Sequence, residues 1–158
     1  MKITISILAI LLVAGAALFA TQFNLSANPD PGRLETRVAT MGKRWFVSRS
    51  ARQHPVSEPA SDASSLDSGG MTFNGDCAFC HGQDGTTPTD VGLAMYPRVP
   101  SLASSEVQQW SDAELFWIIR NGNRYTGMGA FGKTLSDVQI WDLVRYVRSL
   151  RNTAPAGK

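Results

Sequence analysis

The chain of 158 residues is long enough for one domain of about 100 to 150 residues with an additional segment, and too short for two full domains. Lys and Arg total 15 against 13 Asp and Glu, so the net charge of +2 gives no reason to expect a dense basic face that would bind nucleic acid. With 43% hydrophobic and 18% charged residues, the chain is too apolar to be disordered, and its two cysteines exclude a framework of several disulfides.

The first segment, residues 1–27, contains an uncharged and nearly continuous apolar run from Ile3 to Ala20. A helix of this length spans about 27 Å, close to the ~30 Å of a bilayer's hydrocarbon. Lys2 could begin a signal peptide, but the small-x-small cleavage site after the run is poor. The sequence therefore favours a transmembrane anchor in the cytoplasmic membrane, with the rest of the chain in the periplasm. A cleaved signal peptide, which would release a periplasmic protein, is the alternative, and a buried core helix comes third.

The second segment, residues 28–63, combines a basic amphipathic helix with a linker. The predicted helix covers residues 33–49, because one apolar face recurs at spacings of four, three and four through Leu34, Val38, Met41 and Trp45. Residues 28–56 carry six basic and two acidic side chains. The helix is either solvated and packed on the following domain, or it lies on anionic headgroups or a membrane partner. Residues 51–67, rich in Ser, Pro, Ala and Asp, are predicted to be flexible.

The third segment, residues 64–158, is predicted to be an all-α domain. Capping boxes at Ser111 and Ser136 begin helices over residues 112–121 and 137–150, and a weaker helix covers residues 66–77. No run of residues alternates convincingly as a strand. Between the helices lie long Gly- and Pro-containing loops, and long loops in a small domain need something to pack against.

The pentapeptide Cys77-Ala78-Phe79-Cys80-His81 indicates that the loops pack against a haem, because C-x-x-C-H is typical of covalent attachment of one c-type haem. On one helical turn both thiols can form thioethers with the haem vinyl groups while His81 faces the iron. A redox-active C-x-x-C would want a βαβ context, and a zinc site would need His54, in the linker, as its fourth ligand. Two methionines in the domain lie away from the motif. Met128, between Gly127 and Gly129, is the predicted sixth ligand, and Met95 is expected in the core.

These motifs resemble the class I cytochromes c, in particular the single-haem, membrane-anchored bacterial members, over residues 64–150. Residues that match the family's crossing of first and last helices are Gly69, Phe73, Cys77, Leu143 and Tyr146. Pro100-Ser101-Leu102 resembles the family's Pro-x-Leu, which implies that the Pro100 carbonyl accepts a hydrogen bond from His81 Nδ1 and that this stretch lies at the haem. Asn121-Gly122 followed by Gly127-Met128 resembles its methionine loop. Many relatives have proline after the methionine, so Gly129 predicts a looser loop here.

The predicted function is one-electron transfer rather than catalysis, because His/Met ligation of a buried iron favours it. The alternatives are a haem-based sensor or catalyst of small ligands with a displaceable Met128, and a redox subunit of a membrane oxidoreductase complex. Residues 64–158 carry eight basic and nine acidic side chains, so the charge does not identify the redox partner protein. Tyr125 is predicted to contact the haem; candidates for holding the propionates, some of which could instead be core or surface side chains, are Arg98, Trp110, Arg124 and Tyr125.

Overall fold

A computed structural model describes residues 2–22, 26 and 30–153. Its α-helices are α1 (Lys2–Gln22), α2 (Arg33–Gln53), α3 (Ser65–Asp76), α4 (Ala78–His81), α5 (Asp90–Leu93), α6 (Ser105–Gln108), α7 (Asp112–Asn121) and α8 (Asp137–Ser149). Two short 3-10 helices cover Phe131–Lys133 and Leu150–Thr153. The described residues contain no strand, so the all-α prediction is confirmed.

The capping boxes begin α7 and α8 as predicted. The Ser111 side chain accepts a bond from the Glu114 N–H, and the Glu114 carboxylate accepts one from the Ser111 N–H at 2.8 Å. Ser136 and Gln139 repeat this exchange at the start of α8. Each pair satisfies two backbone donors that have no partner inside the helix, which fixes where the helix begins.

The core lies where the first and last helices of the domain cross. A β-carbon on Gly69 in α3 would be 2.2 Å from the carbonyl oxygen of Asp142 in α8, so only glycine allows this approach. The ring centres of Phe73 and Tyr146 lie 4.9 Å apart beside the crossing. The side chains that α8 buries most completely are Ile140, Leu143 and Val144. The helical spacing of α8 therefore predicted its buried face correctly.

Helix α2 packs on α7, but not through the apolar face that its spacing predicts. Val47 and Ala51 are its buried residues, at 2% and 7% exposure, whereas Leu34 is 77% exposed. The helix also continues to Gln53, so Ala51, predicted to lie in the linker, is helical. Packing against α7 stabilises this extra turn, whose sequence alone has no amphipathic signal.

Arg145 of α8 contacts two residues of the predicted linker, Glu58 and Pro59. Its guanidinium lies 3.0 Å from the Glu58 carboxylate and donates to the Pro59 carbonyl at 2.7 Å. It also pairs with the buried carboxylate of Asp142 at 2.7 Å. An arginine far along the chain thus gives these two residues specific contacts, and the flexibility of the segment stays a prediction.

Helix α1 exposes its apolar side chains from Ile3 to Leu18. Among the residues that the structure describes, no helix is both long and apolar enough to cross a membrane. The transmembrane anchor over residues 3–20 stays a prediction. Residues 27–29, between the first two segments, and residues 154–158, at the end of the third, lie outside the described residues.

Candidate functional site

The C-x-x-C-H motif forms one helical turn, as its spacing predicts. The Cys80 and His81 N–H groups both donate to the Cys77 carbonyl, at 3.1 and 3.0 Å. The two thiols form no disulfide and are half-buried. Two thiols and an imidazole are therefore presented from a single turn at the end of α3, in the order that a c-type haem requires.

Burial keeps two of these groups in their neutral forms. It raises the pKa of the Cys77 thiol to about 12, with smaller contributions from the neighbouring Asp76 and Cys80. Burial also lowers the pKa of His81, against an opposing effect of the Pro100 carbonyl. At neutral pH the His81 imidazole is therefore uncharged, and this is the form that ligates a metal.

The His81 Nδ1 atom is buried and has no hydrogen-bond partner. The Pro100 carbonyl acts on the pKa of this ring, but no bond of ordinary geometry joins them, contrary to the sequence-based expectation. Buried polar atoms without partners are rare, and coordination of the opposite ring nitrogen would fix the ring orientation that such a bond needs. The orphaned nitrogen beside two free thiols thus fits a covalently attached haem.

The loop after the motif donates hydrogen bonds to backbone carbonyls at the end of α4. Thr89 donates from its N–H to the Cys80 carbonyl at 3.2 Å and from its hydroxyl to the Phe79 carbonyl at 2.8 Å. A β-carbon on Gly92 would be 2.3 Å from the Cys80 carbonyl oxygen, so the loop can approach only with glycine there. The sequence analysis missed both residues. The available signal was Thr89 as the N-cap of α5, where its side chain accepts the Gly92 N–H.

The same loop places Leu102 in the core. The Leu102 N–H donates to the Gly85 carbonyl at 2.9 Å, and the Leu102 side chain is 9% exposed. Gly85 has a φ of 66°, and a β-carbon there would be 2.5 Å from Leu150. Asp84 accepts bonds from the N–H groups of Thr86 and Thr87, and these bonds hold the pKa of its carboxyl well below the ordinary range. Leu102 therefore lies where the motif loop joins the core, while Pro100 is exposed.

The Met128 loop is closed at its base. The Asn123 N–H donates to the Met128 carbonyl at 3.1 Å, and the Met128 N–H donates to the Thr126 hydroxyl at 3.1 Å. A β-carbon on Gly122, whose φ is 70°, would be 2.7 Å from Gly129. The Met128 side chain is half-buried and packs against the core. These contacts close the base of the loop without a proline, and the looser loop expected from Gly129 stays a prediction.

Met95 was predicted to lie in the core. It lies beside the Met128 loop instead. Its sulfur would be 2.3 Å from a β-carbon on Gly127, and the residue is half-buried. The absence of a side chain on Gly127 makes the room that the thioether occupies. The structure thus brings both candidate methionines to one loop.

The remaining candidates lie in varied surroundings. Tyr125 is 91% exposed at a φ of 65°, a region that non-glycine residues seldom occupy. Arg98 pairs with Asp30 at 2.9 Å, and Arg124 is exposed. Trp110 is 6% exposed, which confirms the core interpretation of this residue.

Within the described residues, no three His, Cys, Asp or Glu side chains come together as a metal site. His54, the missing zinc ligand in the alternative interpretation, instead lines a cavity of about 320 Å³ between the end of α2 and α7. The zinc interpretation therefore gains no support.

Comparison with models of known protein families gives a match. The model of the family described as cytochrome C oxidase, cbb3-type, subunit III matches residues 64–147, which is more than half of the chain. Among curated proteins, none matches the chain. The matched residues begin just before α3 and end within α8, so they include the whole of the C-x-x-C-H motif and the Met128 loop.

Proposed function

Because the chain belongs to the cbb3-type cytochrome c oxidase subunit III family, and so is a c-type cytochrome with a covalently bound haem, we propose that it transfers single electrons. When bound, the haem supplies an iron that alternates between the ferric and ferrous states. The chain's own part is to attach the haem, to supply axial ligands and to keep solvent away. We assign attachment to Cys77 and Cys80 and axial ligation to His81 and Met128.

The buried Nδ1 of His81 without a partner is the observation that carries this assignment. A ring held neutral by burial, one residue after a free cysteine, is ready to ligate through its other nitrogen. The Pro100 carbonyl is the acceptor that the resemblance implies, once the ring is oriented. Met128 is supported as the second ligand by its closed loop and its packing against the core.

Replacing Met128 by Ala tests the assignment. A neutral thioether stabilises ferrous relative to ferric iron, so its loss should lower the midpoint potential and remove the near-infrared band of sulfur bound to ferric iron. The vacated position should then bind carbon monoxide in the reduced protein. Met95→Ala is the matched control and should keep the band. Loss of the band in Met95→Ala but not in Met128→Ala would reverse the assignment, and ready carbon monoxide binding by the wild type would favour a sensor or catalyst.

We also place the haem domain on the periplasmic side of the cytoplasmic membrane, where covalent haem attachment follows export. The support is the apolar, exposed N-terminal helix α1 together with the C-x-x-C-H motif. The N-terminal sequence of the protein from membrane and soluble fractions tests this placement. An intact N-terminus in the membrane fraction would favour an anchor, and a soluble form that begins between residues 15 and 30 would favour a cleaved signal.

The family's description supports a second proposal, that the chain is the redox subunit of a membrane oxidase complex. Residues 64–158 have nearly balanced charge, so strong electrostatic steering of a freely diffusing carrier is not evident. Purification from membranes in mild detergent tests this proposal. Stoichiometric co-purification with oxidase subunits would support it, and isolation of the haem protein alone would favour an independent carrier.

A further inference from the structure

Helix α2 carries an apolar stripe that the folded domain leaves exposed. The stripe consists of Leu34, Val38, Met41 and Trp45, which are 77%, 62%, 71% and 58% exposed. The four residues follow one line along the helix. Four large apolar side chains in a continuous exposed line mark a surface that interacts with something else.

The stripe cannot turn inward, because contacts on another face fix α2 to the domain. Val47, buried against the core, lies about 200° around the helix from Trp45. Ser48 donates a hydrogen bond to the Glu114 carboxylate, and the Arg44 guanidinium lies 4.9 Å from the Trp110 ring centre. These contacts fix the helix on the domain while the stripe stays exposed.

The residues around the stripe are basic. Helix α2 contains six basic side chains and one acidic one. Arg37 and Arg49 lie about 60° to either side of Leu34, and the Arg49 guanidinium is 5.7 Å from the Trp45 ring centre. In the part of the chain that the structure describes, neither arginine forms an ion pair. The stripe therefore combines an apolar centre with cations on both sides.

We propose that this face of α2 lies on an anionic lipid surface. Apolar side chains would enter the boundary of the acyl chains, Trp45 would lie at headgroup depth, and the arginines would reach the phosphates. A second copy of this chain is a poorer occupant, because it would bring basic flanks against basic flanks. The proposal goes beyond electron transfer and does not depend on which side chains ligate the iron.

Two methionines of equal exposure allow a matched test on the full-length holoprotein. Met41 in the stripe and Met71 in α3 are each 71% exposed. We expect a short hydroxyl-radical pulse to oxidise Met41 at least about fivefold more slowly in vesicles of phosphatidylcholine with phosphatidylglycerol than in pure phosphatidylcholine vesicles. Met71 should be oxidised equally in both, as mass spectrometry of the peptides would show.

The variant Arg37→Glu/Arg49→Glu should oxidise Met41 equally in the two kinds of vesicle while keeping the haem spectrum. Protection that persists in this variant, or equal protection in both kinds of vesicle, would overturn the proposal. If Met41 is protected from oxidation in buffer without vesicles, and light scattering shows a dimer, a second copy of the chain covers the stripe instead. The proposed electron transfer is tested separately, by the haem spectrum and the midpoint potential. Its failure would therefore not change the oxidation of Met41.

Discussion

The lack of a side chain on Gly127 lets Met95 pack against the Met128 loop. The Met95 sulfur occupies the space that a β-carbon would need, one residue before Met128. A side chain at position 127 would therefore have to displace either Met95 or the Met128 loop. The 94–99 segment therefore acts on the Met128 loop through packing rather than through a hydrogen bond.

Gly127→Ala should disturb this contact, because the new β-carbon would be 2.3 Å from the Met95 sulfur. If Met128 ligates the iron, we expect a weaker near-infrared band, a lower midpoint potential and faster carbon monoxide binding. The double variant Gly127→Ala/Met95→Ala makes room for the β-carbon and should recover most of the band. A Gly127→Ala protein with the wild-type band would show that the Met95 side chain moves aside and leaves the loop in place.

At the scale of elements, Glu114 has two roles. Its carboxylate closes the capping box of α7 and accepts the hydrogen bond from Ser48 of α2. Burial acts to raise the pKa of Glu114, but the bonds from Ser48 and Ser111 outweigh it, so the pKa lies below its ordinary value of 4.5. Because the folded pKa is the lower one, the ionised group stabilises the contact above pH 4.5 and this stabilisation is lost as the pH falls through the folded pKa.

We therefore expect α2 to detach progressively as the pH falls below about 4.5. Hydrogen exchange of the α2 amides, corrected for intrinsic rates, should become faster as the pH falls. In Ser48→Ala the same faster exchange of α2 should be seen already at neutral pH. Glu114→Gln keeps a side chain that can close the capping box, so α7 should stay protected while the pH dependence of α2 disappears. A pH dependence unchanged in Glu114→Gln would contradict this role.

The longer helices could be predicted from the sequence because their signals are local. Ser111 and Ser136 with their partners three residues later determine where α7 and α8 begin, and the spacing within α8 determines its buried face. The four-residue helices α5 and α6 are too short for any periodicity. The packing face of α2 could not be identified from the sequence, because its stripe is more apolar than the face that Val47 and Ala51 bury.

The candidate site divides in the same way. The turn from Cys77 to His81 could be read from five consecutive residues, and the Met128 loop from its glycines. The contact of Met95 with Gly127 joins residues far apart in the chain, and no spacing rule contains it. Thr89 supports the motif with two bonds to backbone carbonyls, which are invisible in a sequence.

At the scale of the molecule, we expect the long loops of the domain of about 90 residues to need the haem to complete their packing. We expect Cys77→Ser/Cys80→Ser to abolish covalent haem and to leave a chain that proteases digest rapidly. The reason is that the binding energy of the group contributes to the folding energy of such small domains. Limited proteolysis and far-ultraviolet circular dichroism measure this, with Met71→Leu as a surface control that should stay folded. A compact, resistant double variant would show that the apoprotein folds alone.

The crossing of α3 and α8 at Gly69 also has a consequence for the order of events while the exported chain folds. Its two halves lie about 70 residues apart in the chain, so α3 meets α8 only after a long loop has closed. In that interval the Cys77 thiol is unburied, and its pKa is near 9.0 rather than about 12. Thioether bonds can therefore form while the motif is still open to other molecules. A circular permutant that places α8 ahead of α3 would shorten this interval and should emerge with less of its haem attached.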